Sequence, residues 1–80
     1  MNLPERISAD WIGTLTDADL IDAEAHLRER FNTLERREKN SKGTKYDLFR
    51  SPPDVMEAWD RWSRVLTATR LRSLTPRKPK

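Results

Sequence analysis

The stretch that decides the fold is residues 16–39, TDADLIDAEAHLRERFNTLERREK. Thr16 stands where its hydroxyl caps the amide three residues on, and Asp19 is placed to answer in return. Leu15 and Leu20 flank that start as a hydrophobic staple. Beyond it Leu20, Ala23, Leu27, Phe31 and Leu34 recur at helical spacing and lay down one apolar stripe. The pattern predicts a helix over residues 17–39, about 34 Å long at about 1.5 Å per residue. Glu24 borders the stripe and is expected to reach its solvent rim.

A second stretch of the same kind follows at 51–74, SPPDVMEAWDRWSRVLTATRLRSL. Ser51 is the expected cap, Pro52 sits in the first turn where a missing N–H costs nothing, and Asp54 closes the box. Val55, Ala58, Trp59, Trp62, Val65, Leu66 and Thr69 share one face, and Pro76 blocks continuation. A helix over 52–74 is expected, about 31 Å long. Two matched helices with one apolar face each predict an all-α antiparallel helical hairpin. Offsetting the chain to align Thr16 with Ser51 pairs few identical residues, so shared helix-start chemistry explains the likeness without a duplication.

The flanks complete the layout. Residues 1–15 carry Leu3, Ile7, Trp11, Ile12 and Leu15 and read as a short N-terminal helical arm lying across the hairpin. The connection from Asn40 to Ser51 is longer than the roughly 2–8 residues usual between packed helices. Residues 75–80, TPRKPK, read as a disordered basic tail. The hairpin proper is expected over 16–74.

Composition narrows the function. Eighty residues allow one domain. The absence of cysteine excludes disulfides and thiolate metal sites, and the single histidine, His26, argues against zinc. No apolar run approaches the roughly 18 residues of a membrane span. The start, MNLPERISADW, is mixed and charged, unlike a secretion signal, so a cytoplasmic location is expected. A hydrophobic fraction of 35% against a charged fraction of 36% suits a thin core, or one completed on a partner. Arginine outnumbers lysine, which fits a GC-rich bacterial genome or one of its phages and carries no information about function.

The net charge of +3 invites a nucleic-acid reading, so its distribution matters. Residues 1–29 hold two bases and seven acids, a net of −5; residues 30–50 hold seven bases and three acids, a net of +4. Residues 51–60 carry −3, and residues 61–80 carry +7. Each helix is thus acidic at its start and basic at its end, as the macrodipole favours. Glu24–Arg28, Glu35–Lys39, Glu57–Arg61 and Asp60–Arg64 add favourable pairs one turn apart. Helix stability accounts for most of the charge; the bases outside that account are Lys39, Lys42, Lys45 and the tail's Arg77, Lys78 and Lys80.

No motif points to catalysis, a cofactor or a metal. Lys42-Gly43-Thr44-Lys45 resembles the end of a phosphate loop but lacks the first glycine and the preceding strand. Asp17, Asp19, Asp22 and Glu24 share the composition of a calcium loop without its turn glycine, and belong to a helix start. His26 has no nucleophile set beside it. Tyr46, Leu48 and Phe49 serve either as a cap on the open end of the core or as a stacking face.

Tryptophan is enriched at binding hot spots, and three in so short a chain exceed what the hairpin requires. Trp59 and Trp62 share the stripe of Val55 and Leu66, so burial against the first helix is their plain reading; set beside it, Trp59 and Trp62, with Arg61 between them and Trp11 in support, are the candidate protein interface. Met56, Leu71 and Leu74 fall off the stripe and are expected to form a second, exposed apolar edge. The function expected is a small non-enzymatic protein–protein interaction module, a regulator, inhibitor or assembly factor docking on a larger protein. The alternatives are a nucleic-acid-binding accessory protein using Lys42, Lys45, Arg70, Arg72, Arg77 and Lys78, and a homo-oligomer joining two hairpins as a four-helix bundle. No membrane partner is expected.

Overall fold

The computed structural model describes residues 3–78; the outermost two residues of the expected arm and of the expected tail lie outside them. Among the described residues the chain is all-α, with three α-helices and no strand. Helix α1 (Ala9–Gly13) is a short element capped by Ser8, whose hydroxyl accepts the Trp11 N–H at 3.1 Å. Helix α2 (Asp17–Lys42) starts at Thr16, whose Oγ1 accepts the Asp19 N–H at 3.1 Å. It continues past the expected boundary at Lys39. The pairs Glu35–Lys39 (3.2 Å) and Glu38–Lys42 (3.0 Å) support the last turns, and Gly43 ends the helix at φ 59°, a conformation that glycine takes without a steric penalty.

Helix α3 (Pro53–Leu71) departs from the sequence reading at both ends. Ser51 does not cap it. Pro52 is the cap residue, extended at ψ 156° because Pro53 follows it, and the Ser51 hydroxyl instead donates to the Asp47 carbonyl at 2.9 Å. At the other end Ser73 takes φ 57°. The Leu74 N–H reaches the Thr69 carbonyl (3.0 Å) and the Ser73 N–H reaches that of Arg70 (3.0 Å). These are the two bonds of a Schellman motif, which closes the helix ahead of Leu74. The reversal carries Leu74 back onto the core, so it does not belong to the exposed edge expected of it.

α2 and α3 pack along their apolar stripes. Leu20, Ala23 and Leu27 of α2 and Val65 of α3 are buried together, and Phe31, Val55 and Ala58 are buried as well. Arg72 stands 3.2 Å from Asp17 at the start of α2, while Phe31, further along α2, stacks on Trp62. Ile7, 2% exposed, joins this core from the arm, with Leu3, Trp11, Ile12 and Leu15 packed around it. Two arginines fasten the arm. Arg61 donates to the Pro4 carbonyl at 2.7 Å, and Arg72 donates to the carbonyls of Leu15 (2.9 Å) and Ile12 (3.0 Å).

The connection from α2 to α3 holds two 3-10 turns, Gly43–Lys45 and Leu48–Arg50. Between them the Tyr46 hydroxyl donates to Glu35 Oε2 at 2.7 Å, and Lys39 Nζ lies 5.5 Å from the centre of its ring. Residues 75–78 have no regular structure; among them Arg77 pairs with Asp22, and its carbonyl accepts from Arg28.

Candidate functional site

The four residues expected at a protein interface fall into different environments. Trp62 stacks on Phe31 with ring centres 5.4 Å apart and planes 23° from parallel. Its Nε1–H donates to Glu24 Oε2 at 2.8 Å. Glu24 is 0% exposed, which corrects the expectation that it reaches the solvent rim. It stays buried because both its oxygens meet cationic or donor groups: Trp62 at one, and at the other Arg28 Nη1, 3.3 Å away as an ion pair. Trp11 is half-buried against the core, and Arg61 is turned onto Pro4. Trp59 is half-buried and meets Phe49 edge-on, ring centres 6.2 Å apart at 71°. Phe49 is 73% exposed, so this pair is where aromatic surface meets solvent.

The six candidate nucleic-acid contacts are likewise dispersed. Lys42 is paired with Glu38, Lys45 ends a 3-10 turn, and Arg70 is exposed in the last turn of α3. Arg72 spends its guanidinium on the arm and Asp17. Arg77 and Lys78 stand together beside α2, on residues outside the expected set.

Two concave surfaces emerge. The first, of about 530 Å³, lies between the arm and α3; Ile7, Ile12, Ala68 and Leu71 give it apolar walls, and Arg64 stands at its rim. Leu71 is 82% exposed there. Gly13 also lines it, and a Cβ added at Gly13 would meet nothing within 4 Å. The second, of about 910 Å³, runs over the outward side of α2 to the tail and is lined by Arg28, Arg30, Arg36, Arg37, Arg77 and Lys78, with His26 and the single carboxylate of Glu29.

The electrostatics elsewhere are local. Burial, and then the hydrogen bond to Glu35, push the Tyr46 hydroxyl up to about 12. No group of three or more metal-ligating side chains is assembled among the described residues, and none of their helices is long and apolar enough to cross a membrane. Comparison with models of protein families, with curated proteins and with solved structures finds no match to this chain.

Two features escaped sequence reasoning. The groove at Gly13 needs the arm to be folded back, which no local pattern states. The basic face of α2 is legible as Arg30, Arg36 and Arg37, but each has an acid beside it in sequence, which reads as local charge balance.

Proposed function

We propose that this chain is a small non-enzymatic interaction module, an antiparallel helical hairpin braced by its arm, that docks on a larger protein in the cytoplasm. The observation that carries the reading is the apolar groove between the arm and α3, with Leu71 left 82% exposed on its edge. Fully covering a leucine side chain is worth about 1.5–3 kcal/mol, so a partner that seats on Leu71 gains most where the chain itself forgoes burial. The groove is walled by a short helix and a long one and leaves Gly13 without a side chain, a shape that accepts the apolar edge of an amphipathic helix. The surface of Trp59 and Phe49 is a second apolar contact on the same chain. The polar groups that chemistry would draw on, Glu24, Arg61 and Arg72 among them, are engaged in holding the arm and helices together.

The test compares the wild type with Leu71→Ser and Gly13→Phe in capture from nuclease-treated extract of the native cell. Both substitutions lie on open surface, so helicity and melting should be preserved, which circular dichroism checks. A defined protein retained by the wild type and lost with both variants is the expected result. Capture indifferent to both substitutions, or confined to extract with its nucleic acid intact, refutes the docking reading.

A further inference from the structure

The basic face of α2 shares no lining residue with the apolar groove, and docking on a protein leaves it without a role. Its charge is not absorbed within the chain. Arg28 pairs with Glu24 and Arg77 with Asp22, but Arg30, Arg36 and Arg37 have no carboxylate within ion-pair distance among the described residues. Of the neighbouring acids, Glu35 holds Lys39 and Tyr46, Glu38 holds Lys42, and Glu29 alone brings a carboxylate to the groove, which leaves the bases in excess there. The tail then adds to the excess. The contacts of Arg77 with Asp22 and Arg28 bring Lys78 to the same groove from the far end of the chain.

We propose that this face binds the phosphate backbone of duplex nucleic acid without reading its sequence. Four cations are available for phosphates: Arg30, Arg36, Arg37 and Lys78. Three are guanidinium groups, whose paired N–H donors match two phosphate oxygens at once. Arg30 and Arg37 lie two turns apart on a rigid helix, about 10.5 Å along its axis, so they meet an extended row of anions rather than one ion. No Phe, Tyr or Trp lines the groove, so the stacking platform that single strands use is missing. A membrane-surface helix sets a band of large apolar side chains beside its bases; here the groove offers Leu34 alone, half-buried.

The experiment is fluorescence anisotropy of a random-sequence DNA duplex with the full chain between 50 and 200 mM salt. At about −0.9 per phosphate, four contacts give a slope of about −3.6 and an affinity loss of about 150-fold over that range. The triple variant Arg30→Gln, Arg36→Gln, Arg37→Gln should cut the slope to about −0.9. The matching triple change to Lys keeps the charge and should keep the slope within about 1 of the wild type, which separates loss of charge from loss of fold. Lys42→Gln with Lys45→Gln, away from the groove, should leave it unaltered. A wild-type slope shallower than about −2 overturns the proposal, as does a Gln triple no weaker than the Lys42 and Lys45 control. So does oligothymidylate, polyglutamate or a phosphatidylserine vesicle bound as tightly as the duplex, which would assign the face to single strands, acidic protein or membrane.

Discussion

The buried contact between Glu24 and Trp62 should show strong energetic coupling. Trp62→Phe keeps a ring against Phe31 but removes the indole N–H that donates to Glu24 Oε2 at 2.8 Å. The carboxylate oxygen is then left in the core without a donor. Hydrogen bonds to charged groups are worth about 1.5–3 kcal/mol, and the smaller ring adds a packing loss. Glu24→Met keeps the length of the side chain and strands the indole N–H instead, at about 1–3 kcal/mol. Arg28 contributes less to that loss, because its side chain is 18% exposed and can turn to water. In the double variant neither orphan remains. The two single losses should therefore exceed the double loss by about 1.5–3 kcal/mol. Each kcal/mol moves the melting midpoint of a chain this size by about 4–8 °C, so the effect is well resolved. Urea titration of the four proteins by circular dichroism measures the cycle. Losses that add to within about 0.5 kcal/mol would mean that the two side chains do not meet, and with that the pairing of α2 and α3 drawn here fails.

Ser73→Gly should stabilise the protein by about 1 kcal/mol, because a non-glycine residue at φ 57° costs about 1–2 kcal/mol; an unchanged or lower melting midpoint would show that α3 does not end in the Schellman turn. Tyr46 is the single tyrosine, so its ionisation is read directly as tyrosinate absorbance, with the midpoint expected near 12 in the folded protein and at the ordinary value of 10 in urea. Because folding raises this value, the stabilisation is complete below pH 10 and is lost as pH rises towards 12, so Tyr46→Phe should remove that part of the alkaline loss of stability.

Much of the helical layout was legible because it rests on local chemistry. Thr16 and the recurrence of Leu20, Ala23, Leu27 and Phe31 locate the start and the buried stripe of α2 from spacing alone. What failed depends on contacts between distant residues, or on the backbone of prolines in series. Ser51 reads as a cap from its residue type, but two consecutive prolines shift the start of α3 by one residue and leave it too early. Leu74 follows the helical spacing of an exposed position, but the left-handed turn at Ser73 redirects it to the core. Glu24 is the sharpest case. Its place beside the stripe puts a carboxylate at the helix packing surface, and local patterning sends a charge there to solvent. Its burial rests on Arg28 one turn on and on an indole of the other helix, a partner that is 38 residues away.

The same distinction explains why the candidate surfaces were only half legible. Trp11, Trp62 and Arg61 carry the residue types of a hot spot, but each has a partner inside the chain: the core, Glu24 with Phe31, and the Pro4 carbonyl. Residue type measures what a side chain gains from contact and does not say whose contact it is. The reverse error concerns the bases. An arginine beside a glutamate in sequence reads as balanced, but adjacent residues on a helix face different ways, and the carboxylate pairs one turn on instead. Lys39 and Tyr46 occupy Glu35, and Lys42 occupies Glu38, which leaves Arg36 and Arg37 over. Counting charges by sequence block balances donors against acceptors on average. Only the geometry shows which cations the competition leaves free, and on α2 they collect on one face, to which the tail brings Lys78.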